Sequence, residues 1–410
     1  MAFIGDMFIA GSEHLDDKYK SGVVFSISQK SPISFVYEFN DGSWQVEFQQ
    51  NSDDVIARST SKLDRETLQS SGFEVVQTAL DILSVKGTLT AYVTHPATTS
   101  IGVYWANMKS VVYFQSLIDF HMGVSIQTRQ LDASGNEITP PPPTELTWNE
   151  SFRYYRLSQS STDLFEAYRN LFLAFEALLY SICSKNQKEG EVAWLRRTLA
   201  VINSKLCLSQ FLPSGSGDPI EYIINSQYLS VRCKLQHAKF PSAELPHSSI
   251  NPVTVRQAYS ELVRIWRPIA GVYLNVPTGG AVITYAGFEM MIANGFKDGF
   301  AILYTSDNLP PCKEDIDASP QSLPLHDFAE MSYMGQVRPG VMRLVGREDT
   351  IGHTDHYYRP IHRVCSRAET TLLSVAYIER GLVITGVDQW ESIHDFRLIN
   401  TAQPKMEFDT

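Results

Sequence analysis

An arginine and a histidine stand five positions apart in a segment with the pattern of a helix. The segment is Tyr228-Leu-Ser-Val-Arg232-Cys-Lys-Leu-Gln-His237-Ala-Lys239. The ordinary pKa of an imidazole lies near neutrality, so His237 could give or take a proton during a reaction. The guanidinium of Arg232 is a fixed cation that could stabilise developing negative charge. Together these residue types suit proton transfer next to a phosphate group without a metal ion.

The spacing does not bring the two side chains together within one helix. Positions i and i+5 of an ideal α-helix lie about 140° apart, so Arg232 and His237 do not converge there. A similar spacing separates Arg347 from His353, in a region with strand and turn character, so the spacing alone does not identify a site. A shared site therefore needs a second helix or a second copy of the chain.

The block around this pair resembles a HEPN domain. Arg232 and His237 match the R-x4-H pattern of that family, on a helix that follows a long acid-bearing helix. The segment WNESFRYYRLSQSSTDLFEAYRNLFLAFEALL ahead of it is also similar to proteins of the methylamine-utilisation J type, and the resemblance covers about residues 148–275. It implies a metal-independent endoribonuclease in bacterial defence or stress response. It also implies a homodimer through the helical domain, which would bring two copies of the motif to one cleft.

Further residues of this block could complete such a site. Glu176 lies well inside an otherwise apolar helix and could orient His237 or pair with Arg232. Four basic side chains could bind the phosphates of RNA: Lys234, Lys239, Arg196 and Arg197. The catalytic set is then Arg232, His237 and Glu176.

A structural role for the same residues stays open. Cys233 follows Arg232 where active members of the family usually have a polar residue. Arg232 could pair with Glu176 inside the helical domain, and His237 could cap a helix end before Pro241. The block would then be a non-catalytic dimerisation or ligand-binding module.

A second group of residues has the side chains of a zinc site. The spacing H-x2-H-x5-H-x2-C places histidines and a cysteine around one turn: His353, His356, His362 and Cys365. If residues 357–365 form a strand, His362 and Cys365 point to opposite faces, since they differ by three positions. The sequence therefore favours surface histidines around a turn over a metal site.

The sequence lacks the common nucleotide-binding and hydrolase motifs. It has no G-x-x-x-x-G-K-[ST], no G-x-G-x-x-G after a strand, no H-E-x-x-H and no G-x-S-x-G. These absences disfavour an ATPase, a dehydrogenase, a zincin or an α/β-hydrolase. We expect no cofactor.

Charge is distributed unevenly along the chain. The 410 residues carry a net charge of −11, yet residues 151–275 have 14 basic and 9 acidic side chains, a net charge of +5. A polyanion such as RNA would be attracted to the middle segment and repelled by its acidic flanks. Ordinary scatter of charge along the chain could produce the same asymmetry.

Strand patterns occupy both ends of the chain. Apolar and polar residues alternate over 22–28, 33–39 and 43–49, and Asn40-Asp41-Gly42 supplies the positive φ angles of a tight hairpin. Further strands are expected around residues 88–130 after a helix at 73–85. Strands are expected again from residue 276, where Glu379-Arg380-Gly381 would join the last two as a hairpin. A protein or ligand that acts as a trigger could bind these β-rich regions.

The middle of the chain has helical periodicity. Asp163 and Glu166 form a capping-box pattern before a broad apolar face, and further helices are expected near 189–209, 219–240 and 253–274. Pro268 should kink or end the last of these. The predicted fold is α+β multi-domain: a β-rich N-terminal domain at 1–147 with a Pro-rich linker at 132–144, a central all-α HEPN-like bundle at 148–275, and a β-rich C-terminal domain at 276–410.

Composition and the first residues suggest where the protein works. The chain is 43% hydrophobic and 19% charged, as globular proteins are. No run of about 18 apolar residues occurs and the first twenty or so residues lack a signal-peptide pattern. Five scattered cysteines without C-x-x-C indicate buried free thiols. We expect a cytoplasmic protein with no membrane partner.

Overall fold

The computed structural model forms two compact units. It describes residues 1–11, 18–39, 41–123, 129–138, 145–236, 245–277, 283–297, 299–350, 359–400, 403–406 and 408. The first unit consists of residues 1–121 and 283–399, and the second of residues 122–282 and 400–408. The first unit is therefore built from both ends of the chain, with the second unit inserted between them.

Strands dominate the first unit. In chain order the strands are β1 Ala2–Ile4, β2 Met7–Ala10, β3 Ser21–Ile27, β4 Phe35–Glu38, β5 Trp44–Phe48, β6 Asp54–Ser59, β7 Val93–Thr94, β8 Ser100–Ala106, β9 Lys109–Met122, β10 Gln130–Leu131, β11 Glu137–Ile138, β12 Phe300–Thr305, β13 His326–Asp327, β14 Glu330–Arg338, β15 Val341–Asp349, β16 Ile361–Ala368, β17 Thr371–Ile384 and β18 Gln389–Asn400. One sheet has the order β14-β15-β18-β9-β8-β3-β6-β5-β4 with β7 beside β3, and the other has the order β13-β12-β16-β17-β1-β2. Each sheet thus combines strands from both ends of the chain.

Helices make up most of the second unit. The helices are α1 Arg65–Val85, α2 Ser151–Ser160, α3 Leu164–Ile182, α4 Glu191–Asn203, α5 Pro219–Ile223, α6 Cys233–Gln236, α7 Val253–Leu274 and α8 Tyr285–Gly295, with a short 3-10 helix at Leu208–Phe211 and a π-helix at Ile224–Arg232. Of these, α1 and α8 belong to the first unit. Within the described part of the chain, every helix is too short or too polar to span a lipid bilayer.

The predicted fold class is wrong. The expected order was a β-rich N-terminal domain, a central all-α HEPN-like bundle and a β-rich C-terminal domain. Instead, the strands before and after the middle segment share two large sheets, and helix and strand each account for 32% of the structure. The middle unit is not all-α either, because β10 and β11 pair within it. Pairing between distant strands has no signature in local periodicity.

Several local predictions for the first unit are confirmed. β4 and β5 pair as the expected hairpin, in which Gly42 has a φ of 67°, although Asn40 lies outside the described residues. The predicted helix begins earlier than expected because Asp64 caps α1, accepting from the amide of Thr67 at 2.9 Å. α1 packs closely on the sheet: a Cβ on Gly72 would lie 2.4 Å from Val23.

Two predictions for the C-terminal part are wrong. The apolar segment at 281–292 was expected to be a strand, but Thr284 accepts from the amide of Gly287 and caps α8. The expected hairpin at Glu379-Arg380-Gly381 is absent because β17 runs without a break from Thr371 to Ile384. Gly381 adopts a φ of 74° within this strand.

The second unit has an apolar core, to which α3 and α7 contribute equally among the described residues. Asp163 caps α3 by accepting from the amide of Glu166 at 2.7 Å. The amide of Asp163 donates to Ser161, so Glu166 does not complete the predicted capping box. Pro268 lies inside α7, which continues to Leu274, so the proline does not end the helix. The prolines of the predicted linker lie outside the described residues, while Asp132 folds the chain before them into a turn by accepting from the amides of Ser134 and Asn136.

The first unit buries a neutral histidine. His394 on β18 is fully buried; its Nε2 lies 2.9 Å from the Ser392 hydroxyl and its Nδ1 lies 3.5 Å from the Ser116 hydroxyl. Burial lowers the pKa of His394 to about 4, although the charge of neighbouring Asp395 opposes the change. The imidazole is therefore uncharged in the folded protein at neutral pH.

This histidine should make the first unit sensitive to acid. Its folded pKa of about 4 lies below its unfolded value of about 6.5, so the unfolded chain takes up the proton first. The stabilisation is complete above about pH 6.5 and falls, by on the order of 3 kcal/mol, as the pH drops toward about 4. Denaturant-dependent hydrogen exchange of the β18 amides in wild type and His394→Gln measures this change. We expect the wild type to lose more stability than the variant over that range; parallel losses would contradict the assignment.

Candidate functional site

Arg232 is the last residue of the π-helix Ile224–Arg232, called the π segment below. Its Nη2 lies 3.6 Å from Oε1 of Glu176 on α3. The guanidinium also lies over two aromatic rings, 5.2 Å from the centre of Tyr228 and 5.9 Å from that of Phe172. Its Nε is buried and has no hydrogen-bond partner among the described residues. The arginine is therefore held in place, while its buried Nε lacks a hydrogen-bond partner among the described residues.

Glu176 is buried enough for its charge to be costly. The side chains of Glu176 and Arg232 are 19% and 20% exposed. Burial raises the pKa of Glu176, and this outweighs the opposing attraction of Arg232. The ion pair of Lys185 and Glu191, 2.6 Å apart, acts on the same carboxylate, with Glu191 raising its pKa and Lys185 lowering it. Arg232 thus offsets part of the cost of ionising this carboxyl.

The predicted catalytic residues are placed in part. Glu176 and Arg232 come together from different helices, a pairing that the sequence analysis allowed under both the catalytic and the structural interpretation. His237 lies outside the described residues, and so does Lys239. Lys234 is exposed on α6, directly after half-buried Cys233. The catalytic or structural role of the pair remains a prediction.

Two of the predicted phosphate contacts are engaged with glutamates. Arg196 donates to both carboxylate oxygens of Glu221, at 2.5 and 3.0 Å. Arg197 donates to both oxygens of Glu189, at 2.9 and 2.7 Å, and lies 2.6 Å from the Cys183 sulfur. The Arg197 guanidinium lowers the pKa of Glu189 to about 2. An RNA phosphate would have to compete with these carboxylates.

A buried polar network holds the π segment, and sequence reasoning missed it. Tyr168 on α3 donates its hydroxyl to the backbone carbonyl of Gln227 at 2.8 Å. The Gln227 side chain is fully buried, and its amide lies 3.5 Å from Glu261 on α7. Glu261 also accepts from Tyr222 at 3.2 Å and from Gln257 at 2.9 Å. The signal in the sequence was a glutamine at a core position, four residues after the buried Ile223.

The zinc-type residues do not assemble a metal site in the described part of the chain. His353 and His356 lie outside the described residues. His362 is half-buried on β16 and its Nδ1 lies 3.0 Å from the Ile378 carbonyl. Cys365 is buried against Leu303 and Ala318, and burial raises the pKa of its thiol to about 12. No group of three or more metal-binding side chains occurs among the described residues.

The cysteines are free, as predicted, but most are not buried. Cys365 is buried, Cys183 and Cys233 are half-buried, and Cys207 and Cys312 are exposed.

No protein-family model, curated protein or solved structure matches the chain. The features that bear on function are therefore the geometry around Arg232 and the chemistry of its neighbours.

The contact between Arg232 and Glu176 should be measurable as a coupling energy. A double-mutant cycle with Arg232→Met and Glu176→Gln should give a coupling on the order of 1 kcal/mol, because both charges are largely removed from water. The measurement is the free energy of unfolding of the second unit. Arg264 is exposed on α7, so the matched cycle of Arg264→Met with Glu176→Gln should be additive. Equal coupling in both cycles would show that the 3.6 Å contact has no energetic role.

Proposed function

We propose that the second unit is a metal-independent endoribonuclease whose reacting groups are Arg232 and His237. The observation that carries the proposal is the buried contact of Arg232 with Glu176, which leaves the Nε of Arg232 without a partner among the described residues. An arginine used only for internal pairing would be expected to satisfy its buried donors. A phosphate oxygen of RNA is a suitable acceptor for a guanidinium donor, and it would have to displace the side chains that bury Nε to reach that atom.

Each group has a defined task in this reaction. His237 takes the proton of a ribose 2′-hydroxyl, whose oxygen then attacks the adjacent phosphorus. Arg232 stabilises the added negative charge on the phosphorus-bound oxygens. The bond to the 5′-oxygen breaks and that oxygen takes up a proton, which leaves a 2′,3′-cyclic phosphate and a 5′-hydroxyl. Glu176 keeps the guanidinium in position, since a paired arginine cannot turn away without leaving a buried carboxylate alone.

The wider proposal follows the family resemblance. The second unit would act as a homodimer, so that two copies of the motif face one RNA strand. Exposed Lys234, together with Lys239, would bind the RNA backbone, and the net charge of +5 over residues 151–275 supports that attraction. The first unit would bind a protein or ligand trigger, in a cytoplasmic role in bacterial defence or stress response.

A non-catalytic binding module is the second candidate. The observation that favours it is the pairing of Arg196 with Glu221 and of Arg197 with Glu189, which leaves fewer basic side chains for RNA. In that case the second unit only dimerises or binds a small anion at Arg232. The two candidates differ in whether a covalent bond of RNA is broken.

Cleavage of RNA in the presence of EDTA separates the two candidates. We expect purified wild type to cut RNA and leave 2′,3′-cyclic ends. His237→Ala and Arg232→Ala should each lower the rate by at least about a hundredfold, since each removes a group that acts in the transition state. Arg264→Ala is the matched control: it removes an exposed arginine of the same unit and should leave the rate unchanged.

Folding and assembly must be checked in the same samples. Circular dichroism and the mass from light scattering should be the same for wild type and all three variants. If folded wild type leaves varied RNA substrates intact, the ribonuclease proposal fails and the binding module takes its place. Equal loss of activity in Arg264→Ala would also count against a specific role for Arg232.

A further inference from the structure

The π segment, which ends at Arg232, is unusually long for a π-helix. It spans the nine residues Ile224–Arg232, whereas π-helical winding usually occurs as a single turn within an α-helix and often at functional sites. Its hydrogen bonding continues to the end, where the amide of Cys233 donates to the carbonyl of Tyr228, five residues earlier. The direction of the Arg232 side chain therefore depends on the π-helical winding of this segment.

The hydroxyl of Tyr168 meets the backbone ladder in the middle of the segment. It donates to the carbonyl of Gln227 at 2.8 Å, and Tyr168 is fully buried. In an α-helix this carbonyl would accept from the amide four residues later, that of Val231. A side chain that inserts into the ladder is a known cause of local departures from α-helical winding. The tyrosine thus supplies the competing partner that a π-helix needs.

Arg232 would face elsewhere if the segment relaxed to α-helix. A shift of one residue in register turns the following residues by about 100° and moves them by about 1.5 Å along the axis. The contact of Arg232 with Glu176 is already long at 3.6 Å, so a rotation of this size would break it. The stacking of the guanidinium on Tyr228 and Phe172 depends on the same direction.

We propose that Tyr168 is a positioning residue that holds the π winding of Ile224–Arg232 and thereby aims Arg232 at Glu176. The role as a positioning residue rests on the proposed function, since it places the arginine of that reaction. Gln227 and Glu261 secure the same turn from the other side, because the buried Gln227 amide reaches the Glu261 carboxylate. The Tyr168 hydroxyl contacts the backbone carbonyl at 2.8 Å and the Gln227 side-chain oxygen at 3.2 Å, so its removal takes away two contacts with the same residue of the π segment.

Titration of the Glu176 carboxyl by NMR tests this without any RNA. Arg232→Met gives the reference shift. It removes the cation that opposes the effect of burial on the pKa of Glu176, so the titration midpoint of Glu176 should rise. Tyr168→Phe removes one hydroxyl and leaves Arg232 in the chain. We expect it to raise the midpoint by at least half of the rise seen in Arg232→Met. The other charges that act on Glu176, those of Lys185 and Glu191, stay the same in all samples.

A matched tyrosine shows whether the effect is specific. Tyr259 is also fully buried in this unit, but its hydroxyl contacts Ser158 and Gln159, at 3.1 and 2.8 Å, and not the π segment. Tyr259→Phe should leave the Glu176 midpoint where it is in wild type.

The outcomes distinguish this inference from the ribonuclease proposal. A raised Glu176 midpoint in Tyr168→Phe but not in Tyr259→Phe supports the positioning role, even if no RNA is cut. An unchanged midpoint in folded Tyr168→Phe overturns it, even if RNA is cut at the wild-type rate. If Tyr259→Phe raises the midpoint equally, the effect comes from general loosening and the positioning role is wrong.

Discussion

The functional account of the second unit depends on one buried contact, that of the Glu176 carboxylate with the Arg232 guanidinium. Placing each charge at about one-fifth exposure has a cost, and burial raises the pKa of Glu176 against the pull of the arginine. The carboxylate keeps the cation in place, and the cation lowers the cost of ionising the carboxyl. The elements around the pair bring the Glu176 carboxylate of α3 next to the Arg232 guanidinium of the π segment.

That task explains the buried polar network around the π segment in the core of the second unit. A nine-residue π-helix is a costly conformation, and it persists because Tyr168, Gln227 and Glu261 satisfy one another inside the core. The first unit has a different organisation, with two sheets that combine strands from both ends of the chain. Buried His394 of the first unit likewise has a partner, the Ser392 hydroxyl.

The sequence predicted what depends on local chemistry and missed what depends on distant partners. Alternating residues identified β3, β4 and β5, and the Asp163 cap identified the start of α3, because neighbouring residues determine both. The segment at 281–292 was misread because a short, nearly continuous apolar run fits a strand as well as a helix. Three features depend on contacts across the fold and were missed. They are the sheets that both ends of the chain share, the π segment, and the pairing of Arg196 and Arg197 with glutamates. Glu176 stood out because it is an acid well inside an otherwise apolar helix, whereas the sequence did not single out Gln227.

The most direct test of the account observes the Nε–H of Arg232 by NMR while the protein binds an RNA in which 2′-deoxy sugars prevent cleavage. We expect this proton, which is buried and has no partner among the described residues, to shift together with the Nη protons once a phosphate oxygen accepts from the guanidinium. The Nε–H groups of Arg196 and Arg197 should keep their positions, because glutamates already occupy them. If the Nε–H and Nη–H signals of Arg232 all stay unmoved at saturating RNA, the arginine has no contact with the substrate and the ribonuclease proposal is wrong.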